Sequence, residues 1–564
     1  MTDTTTAFTV TLVRALERLG VRHACITPGS RSTPLALAVA GTPGITDWVH
    51  LDERSSAFFA LGIARTTRRP VLVITTSGTA AAELHPAIVE ARYGRVPLIA
   101  VTADRPFDLR EVGAPQTIDQ QGLFGSAALW SHDIEATVDA DPSRVVSLAA
   151  RLVSLAGGDP YGPVHLNVRY REPLVPVADV APGPVAVPEI VRGRRVADPA
   201  EIASIGGRLA GRQGVLVVGA QDDPLLPAAA AGFAGAAGWP VVADALSGLR
   251  AGRHDRSRVI AAADPLAWTG WLDRMNPAVV VRCGAVPTSK PVWQWLEGHR
   301  QVEQVFIEPS GWRDPTASAT TVVQADPAST LAGLAAALTG AVPDSWLERW
   351  RHADRLASEA IDAALDATPF PNEPAVARSM ASALPDDSTL WVGSSMPVRD
   401  VDAFFGSTGT PVQIMANRGA NGIDGTVSSG LGSAAVSGAP TTILAGDLAT
   451  LHDLTALATA ARLTIPATVV VVHNDGGGIF HFLPQAGHPE FERYFGTAHG
   501  VDFVAAGRAL GVDAEAIDDP MRFRQAIGEH PSRPRLLQVR TDRVENVAVH
   551  RRIREAVAAA VADL

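Results

Sequence analysis

Cysteine is nearly missing from this 564-residue chain, with only Cys25 and Cys283 present. A disulfide framework is excluded, and a reducing cytosol is the expected compartment. Lysine is scarcer still: of 48 basic residues, Lys290 alone is lysine. No run of about 18 consecutive apolar residues occurs, so no membrane span is expected. The opening MTDTTTAFTV has neither a basic n-region nor an apolar h-region, so no secretory signal is expected. Positive charge is short overall. The net charge of −11 argues against a nucleic-acid partner, yet leaves room for a local basic pocket that takes a small acid.

What is present is a globular composition, 46% hydrophobic and 19% charged, which excludes a disordered or fibrous chain. The length fits about three domains of about 100–200 residues. Short apolar runs alternate with helical stretches. In the first third, strands are expected at His23–Ile26, Asp47–Leu51, Val71–Thr75, Leu98–Thr102 and Val164–Val168, with helices at Val10–Leu19, Ser55–Arg65 and Ala80–Tyr93. Four prolines in Val175–Pro188 predict an extended linker. A second unit carries expected strands Gly214–Val218, Val241–Ala243, Ala278–Val281 and Gln304–Ile307, and a polar helix Pro343–Asp366 leads to a third. There the strands are Thr389–Val392, Gln413–Met415, Thr441–Ala445, Thr468–Val472 and Arg535–Gln538. The expected fold is α/β, with three doubly wound parallel-sheet domains at 1–182, 190–342 and 355–564.

The third unit holds the most informative segment. Gly446-Asp447 and Asn474 each end a strand, and ligands of open α/β sheets sit beyond these ends. A carboxylate from Asp447, an amide oxygen from Asn474 and a backbone carbonyl from Gly476 would make three oxygen ligands for Mg²⁺. Gly476, Gly477 and Gly478 would let the backbone approach a diphosphate. Taken singly, Asp447 also reads as a helix-start carboxylate and Asn474 as a turn residue. Arginines gather on expected turns after strands: Arg31 in TPGSRSTP, Arg105 in TADRP, Arg399 in GSSMPVRD and Arg418 in ANRGANGID. With Lys290 they suit a carboxylate-rich substrate pair, although each alone also reads as a solvated charge. Arg282 and Arg313 could form a basic site in the middle unit, but read more readily as surface charges.

The strand-end pattern GDL followed by ND resembles the GDG and NN fingerprint of thiamine diphosphate (ThDP) enzymes, departing from it at Leu448 and Asp475. The segment DWVHLDERSSAFFALGIAR and the loop Thr75–Ala80 resemble the pyrimidine-binding domain of that group. This resemblance implies pyrimidine-binding, central and diphosphate-binding domains, as in its decarboxylase-type members. It also implies that Glu53 is the catalytic carboxylate facing the aminopyrimidine. Burial at a strand end would suit Glu53 as a proton shuttle, and it also reads as a helix-start Glu. The strings PGSRSTPL, ERSSAFFALGIA, TADRP, GAPQTIDQ, NRGANGID and GDLATLHDL resemble one family closely, the menaquinone-pathway SEPHCHC synthases.

That resemblance implies a transferase that decarboxylates 2-oxoglutarate and adds the succinyl carbanion to isochorismate. Its cofactors would be ThDP and Mg²⁺, with Mn²⁺ as a substitute. Ser30, Arg31, Arg105, Gln116, Lys290, Ser395, Arg399 and Arg418 would bind substrates. Ser77, Gly78, Thr79, Ile423, Gly446, Leu448, Gly477, Ile479 and Phe480 would contact the cofactor beside Glu53 and the metal set. The family places the cofactor between subunits, which implies a homodimer at least and a homotetramer as the expected form. Alternatives are an acetolactate synthase or another 2-oxo acid decarboxylase, and a binding protein that kept the fold. A dinucleotide oxidoreductase is disfavoured because GAQDDP lacks the G-x-G-x-x-G spacing.

Overall fold

The computed structural model describes residues 4–136, 141–177 and 185–564. Eighteen strands among them form three six-stranded sheets, all parallel. The first sheet holds β1 (His23–Ile26), β2 (Thr46–Val49), β3 (Val71–Thr75), β4 (Leu98–Asp104), β5 (Trp130–Glu135) and β6 (Val164–Arg169), in the order β2-β1-β3-β4-β6-β5. The second holds β7 (Gly214–Val218), β8 (Val241–Ala243), β9 (Val259–Ile260), β10 (Val279–Cys283), β11 (Glu303–Ile307) and β12 (Thr321–Val323), in the order β12-β11-β10-β7-β8-β9. The third holds β13 (Ser388–Val392), β14 (Val412–Met415), β15 (Thr441–Gly446), β16 (Thr468–His473), β17 (Asp513–Ala516) and β18 (Arg535–Arg540), in the order β14-β13-β15-β16-β18-β17. Counted from its own first strand, the third sheet repeats the winding of the first. The second instead has the 3-2-1-4-5-6 order of dinucleotide-binding sheets, without their glycine fingerprint.

Period-two alternation sends neighbouring side chains of each strand into different cores. In β3, Leu72 and Ile74 enter one core while Val71 and Val73 enter another. That second core also receives Ile443 and Ala445 of β15, whereas Leu444 points the other way into a core shared with the middle unit. The third sheet thus commits one face to the first unit and the other to the middle unit, and the first and middle units also meet directly, through Arg65–Asp222 at 3.0 Å and Arg95–Glu308 at 2.7 Å.

Helix Glu53–Thr67 and helix Thr426–Ser437 fill the layer between first and third sheets. Their backbones nearly touch. A Cβ on Gly62 would lie 1.9 Å from the Ser429 carbonyl oxygen, and one on Gly432 would lie 2.0 Å from that of Phe59. Asp52 caps helix Glu53–Thr67 by accepting from Ser55 N at 3.0 Å, an interaction worth about 1 kcal/mol. Its other oxygen accepts from Thr455 Oγ1 of the third unit at 2.9 Å.

Several expectations need correction. The stretch Ala80–Tyr93 is two helices, Thr79–Ala82 and His85–Gly94, because Pro86 starts a new turn. Four edge strands (β5, β9, β12, β17) were not expected. They are short or polar, and an edge strand needs a buried face on one side only. Arg282 and Arg313 are not surface charges: Arg282 is buried against Asp314 and lies over the Phe306 ring, and Arg313 pairs with Glu308 at 3.0 Å. The linker expectation falls partly on 178–184, outside the described residues, and 185–198 forms neither helix nor strand.

Candidate functional site

The third sheet reverses winding direction between β13 and β15, where a crevice is expected beyond the strand ends. Asp447 follows β15 and is buried. It is not the cap of its helix; Gly446 holds that position. One carboxylate oxygen accepts from Leu448 N at 2.7 Å and the other from Gly476 N at 3.0 Å. The two strand-end loops therefore converge, as the spacing predicts. Gly476 has φ +137, and a Cβ there would strike the Gly496 carbonyl oxygen at 2.0 Å, so only glycine fits this turn.

Asn474 donates its amide to Glu373 Oε1 at 2.8 Å, while its own Oδ1 is buried and has no hydrogen-bond partner. A buried orphan acceptor is costly unless something binds it. A braced carboxylate, a free amide oxygen and a strained glycine turn fit an oxygen-seeking divalent cation. Glu373 is itself deeply buried, and burial with the nearby Asp400 pushes its pKa up to about 7. Asp475, at a departure from the ThDP fingerprint, accepts from His499 N at 3.1 Å and Gly500 N at 2.8 Å. Those bonds lower its pKa and tie the turn to the next loop. His473 Nδ1 and His499 Nε2 each lie 3.5 Å from Asp447. His473 Nδ1 accepts from Asp475 N, so its Nε2 carries the proton donated to the Val501 carbonyl at 2.8 Å. Ile479 and Phe480 sit half-buried on the next short turn, with Phe480 5.6 Å from the Phe495 ring.

In the first unit, Glu53 opens its helix and is half-buried within the single chain. Its own chain does not supply the burial expected for it. The turn carrying it is fixed to the third unit, since Arg54 donates to the His452 carbonyl and Ser55 Oγ to Asp453 at 3.2 Å. Ser77 and Gly78 are buried after β3, and Thr79 is exposed. Gly78 N donates to Gln120 Oε1 at 2.9 Å, and Gln120 Nε2 donates to Asn167 Oδ1 at 2.8 Å. Ser77 Oγ donates to the Gln116 carbonyl at 2.9 Å, and Gln116 Nε2 returns a bond to the Ser77 carbonyl at 3.0 Å.

The arginines fall into two pairs. Arg31 and Arg105 sit close enough that Arg105 helps lower the pKa of Arg31, after burial as the larger cause. Arg31 donates to the Tyr170 carbonyl at 3.0 Å, and Arg105 reaches Ser77 Oγ at 3.3 Å. Ser30 beside them is exposed. Arg399, exposed in the single chain, and half-buried Arg418 form the second pair, and partial desolvation is the main cause lowering the pKa of each. Arg399 donates to the Ser395 carbonyl at 2.6 Å, and Arg418 Nη1 lies 3.5 Å from Ser394 Oγ. Ser395 holds φ +74, a strained value for a residue with a side chain, at the start of helix Met396–Phe404. Ile423 is half-buried before the helix that crosses Gly62, and Lys290 is exposed at the start of helix Lys290–Gly298.

Residues 7–123 match the thiamine pyrophosphate enzyme N-terminal TPP binding domain, 206–392 the middle domain of thiamine pyrophosphate enzymes and 401–539 the C-terminal TPP binding domain. A 2-succinyl-5-enolpyruvyl-6-hydroxy-3-cyclohexene-1-carboxylate synthase of Geobacillus kaustophilus is 42% identical, covering 100% of this chain and 99% of its own. The chain belongs to this synthase family. Synthases of the same name from Bacillus velezensis and Chloroflexus aurantiacus are each 41% identical over 99% of this chain, covering 98% and 97% of their own lengths. Within this synthase scaffold, the sequence reading missed Glu373, His473 and His499. His473 directly precedes Asn474, so a scan of strand-end residues could have found it. Glu373 and His499 come from distant segments with no motif around them.

Proposed function

We propose that this protein decarboxylates 2-oxoglutarate and joins the resulting four-carbon unit to isochorismate by 1,4-addition, with ThDP and Mg²⁺ as cofactors. Mn²⁺ would substitute, since it accepts the same oxygen ligands. The observation that carries the reading is the convergence of Asp447 with the Gly476 turn beside the unpartnered Asn474 oxygen. The end-to-end likeness to synthases of that name supports the choice of substrates.

When bound, ThDP supplies the nucleophilic carbon that adds to the oxo acid and the electron sink for loss of CO₂. Asp447, Asn474 and the Gly476 carbonyl would hold the metal, and Gly446, Leu448 and Gly477 would line the diphosphate. Glu53 would hold and move the proton at the pyrimidine end, with Ser77, Gly78 and Thr79 beside it. Ile423, Ile479 and Phe480 would give the ring an apolar seat. The arginine pairs, with Ser30, Gln116, Lys290 and Ser395, would bind the carboxylates of both substrates. Residues 1–182, 190–342 and 355–564 would be the pyrimidine-binding, central and diphosphate-binding domains.

A second chain would complete each site, giving a homodimer at least and a homotetramer as the working form. Leu51, Phe107 and Val112 support this, because they leave apolar surface uncovered near the first sheet's ligand edge in a single chain. No helix among the described residues is long and apolar enough to cross a membrane, and both cysteines are free and buried. A cytosolic enzyme fits both facts.

The test supplies purified protein with ThDP, Mg²⁺, 2-oxoglutarate and isochorismate, following CO₂ release and isochorismate loss. Consumption should need both substrates and both cofactors, and Glu53→Gln should remove nearly all of it. Faster turnover of pyruvate alone would favour an acetolactate synthase reading instead.

A further inference from the structure

The middle unit meets the helix that carries Arg399 at a buried junction. Arg250 is 1% exposed, and its guanidinium meets three carbonyl oxygens. Nε donates to Gly406 at 2.7 Å, Nη2 to Asp402 at 3.0 Å and Nη1 to Ala243 at 3.1 Å. Asp402 and Gly406 lie at the carboxyl end of helix Met396–Phe404, where carbonyls lack helical partners and a positive charge is favourable. This helix carries Arg399 and starts beside Ser395. The middle unit thus caps a helix of the third unit.

The same loop has a second grip and a second client. Asp402 accepts from Ala245 N at 2.9 Å, Thr408 N donates to the Arg250 carbonyl at 2.9 Å, and Gly252 N donates to Thr408 at 3.2 Å. Asp244, at the other end of the loop, accepts from Thr288 N at 2.6 Å. Ser289 donates to Asp264 at 2.6 Å and caps the helix that begins at Lys290. One stretch, 243–252, is therefore bonded both to the helix of Arg399 and to the turn of Lys290. Burying a guanidinium is expensive unless it is paired and hydrogen-bonded; here the Asp402 carboxylate lies 4.0 Å from Nη1, and the planar fork suits three carbonyls spread around it better than a compact ammonium would.

We propose that Arg250 is a positioning residue for substrate binding: the middle unit, through Arg250 and Asp244, sets Arg399 and Lys290 in register. The proposal rests on the reading of Arg399 as a substrate ligand. Small displacements of such a group cost steeply in binding and rate.

The test uses the holoenzyme with ThDP and Mg²⁺. Arg399→Ala first identifies the substrate whose KM rises. Arg250→Met should raise the KM of that same substrate by about tenfold, leaving ThDP affinity within about twofold. Arg250→Lys, which keeps the positive charge, should give an intermediate rise. In the Arg399→Ala background, Arg250→Met should add less than about twofold, because residues acting through one another are not additive. Unchanged KM in Arg250→Lys and Arg250→Met, or an equal rise in both backgrounds, overturns the junction. No KM change in Arg399→Ala itself overturns the substrate-site reading instead, and the junction with it.

Discussion

Asn474 spends its nitrogen on Glu373 and keeps its oxygen free, a division of labour that makes it the most telling single residue of the site. Asn474→Leu removes that oxygen at little cost in volume. Mg²⁺–ThDP affinity should fall by at least about tenfold in a fluorescence titration, and unchanged affinity would take Asn474 out of the metal set. A second residue contributes to acid sensitivity. His165 is buried, and burial pushes its pKa down to about 4 from its ordinary 6.5. Its Nε2 lies 2.8 Å from Thr102 Oγ1, which donates onward to Asn167. The unfolded chain takes up that proton as pH falls below 6.5, and the folded chain resists until about 4. This contribution to stability is complete above 6.5 and is lost on descending to 4, by up to about 3 kcal/mol. Denaturant unfolding at several pH values should show a shallower acid decline in His165→Gln than in the parent; equal slopes would refute this. Asp447, Asn474 and the glycines were legible because strand ends and spacing forecast their meeting. Glu373 and His499 were not, since only tertiary packing brings them there.

Among elements, the crossing of helix Glu53–Thr67 with helix Thr426–Ser437 is a tight backbone-to-backbone joint. Gly62→Ala forces a methyl into the Ser429 carbonyl, and backbone cannot step aside as a side chain would. The expected loss is about 1–3 kcal/mol or more, read as a lower unfolding midpoint. An unchanged midpoint would mean that the helices can separate freely. Nothing in the string FFALGIA announces this role for Gly62, because a lone glycine in a helix looks merely tolerated until its partner is known. Buried strands such as β3 and β16 were legible as apolar runs. The edge strands β5 and β17, with Ser-His-Asp and Asp-Ala-Glu in them, carry no such signature.

At the scale of the whole molecule, one chain keeps its two arginine pairs on different units, Arg31 with Arg105 and Arg399 with Arg418. If two chains share each site, mixing inactive Glu53→Gln with inactive Asp447→Ala subunits should restore activity. One of the two sites in a mixed pair would be intact, giving about a quarter of the parent rate at random exchange between twofold-related chains. No recovery after verified exchange would place the whole site within one chain. The division into three doubly wound α/β units was readable from the alternation of strand and helix. The sharing of cores was not, because a strand's two faces look alike in sequence when both are apolar.

The first and third sheets are wound alike yet end in unlike chemistry, one presenting Glu53 and the other Asp447. A twofold axis that joins one such half to its complement must join the remaining halves in the same operation. Working centres would then appear two at a time, and dilution would lower their number without altering how well each holds its substrates.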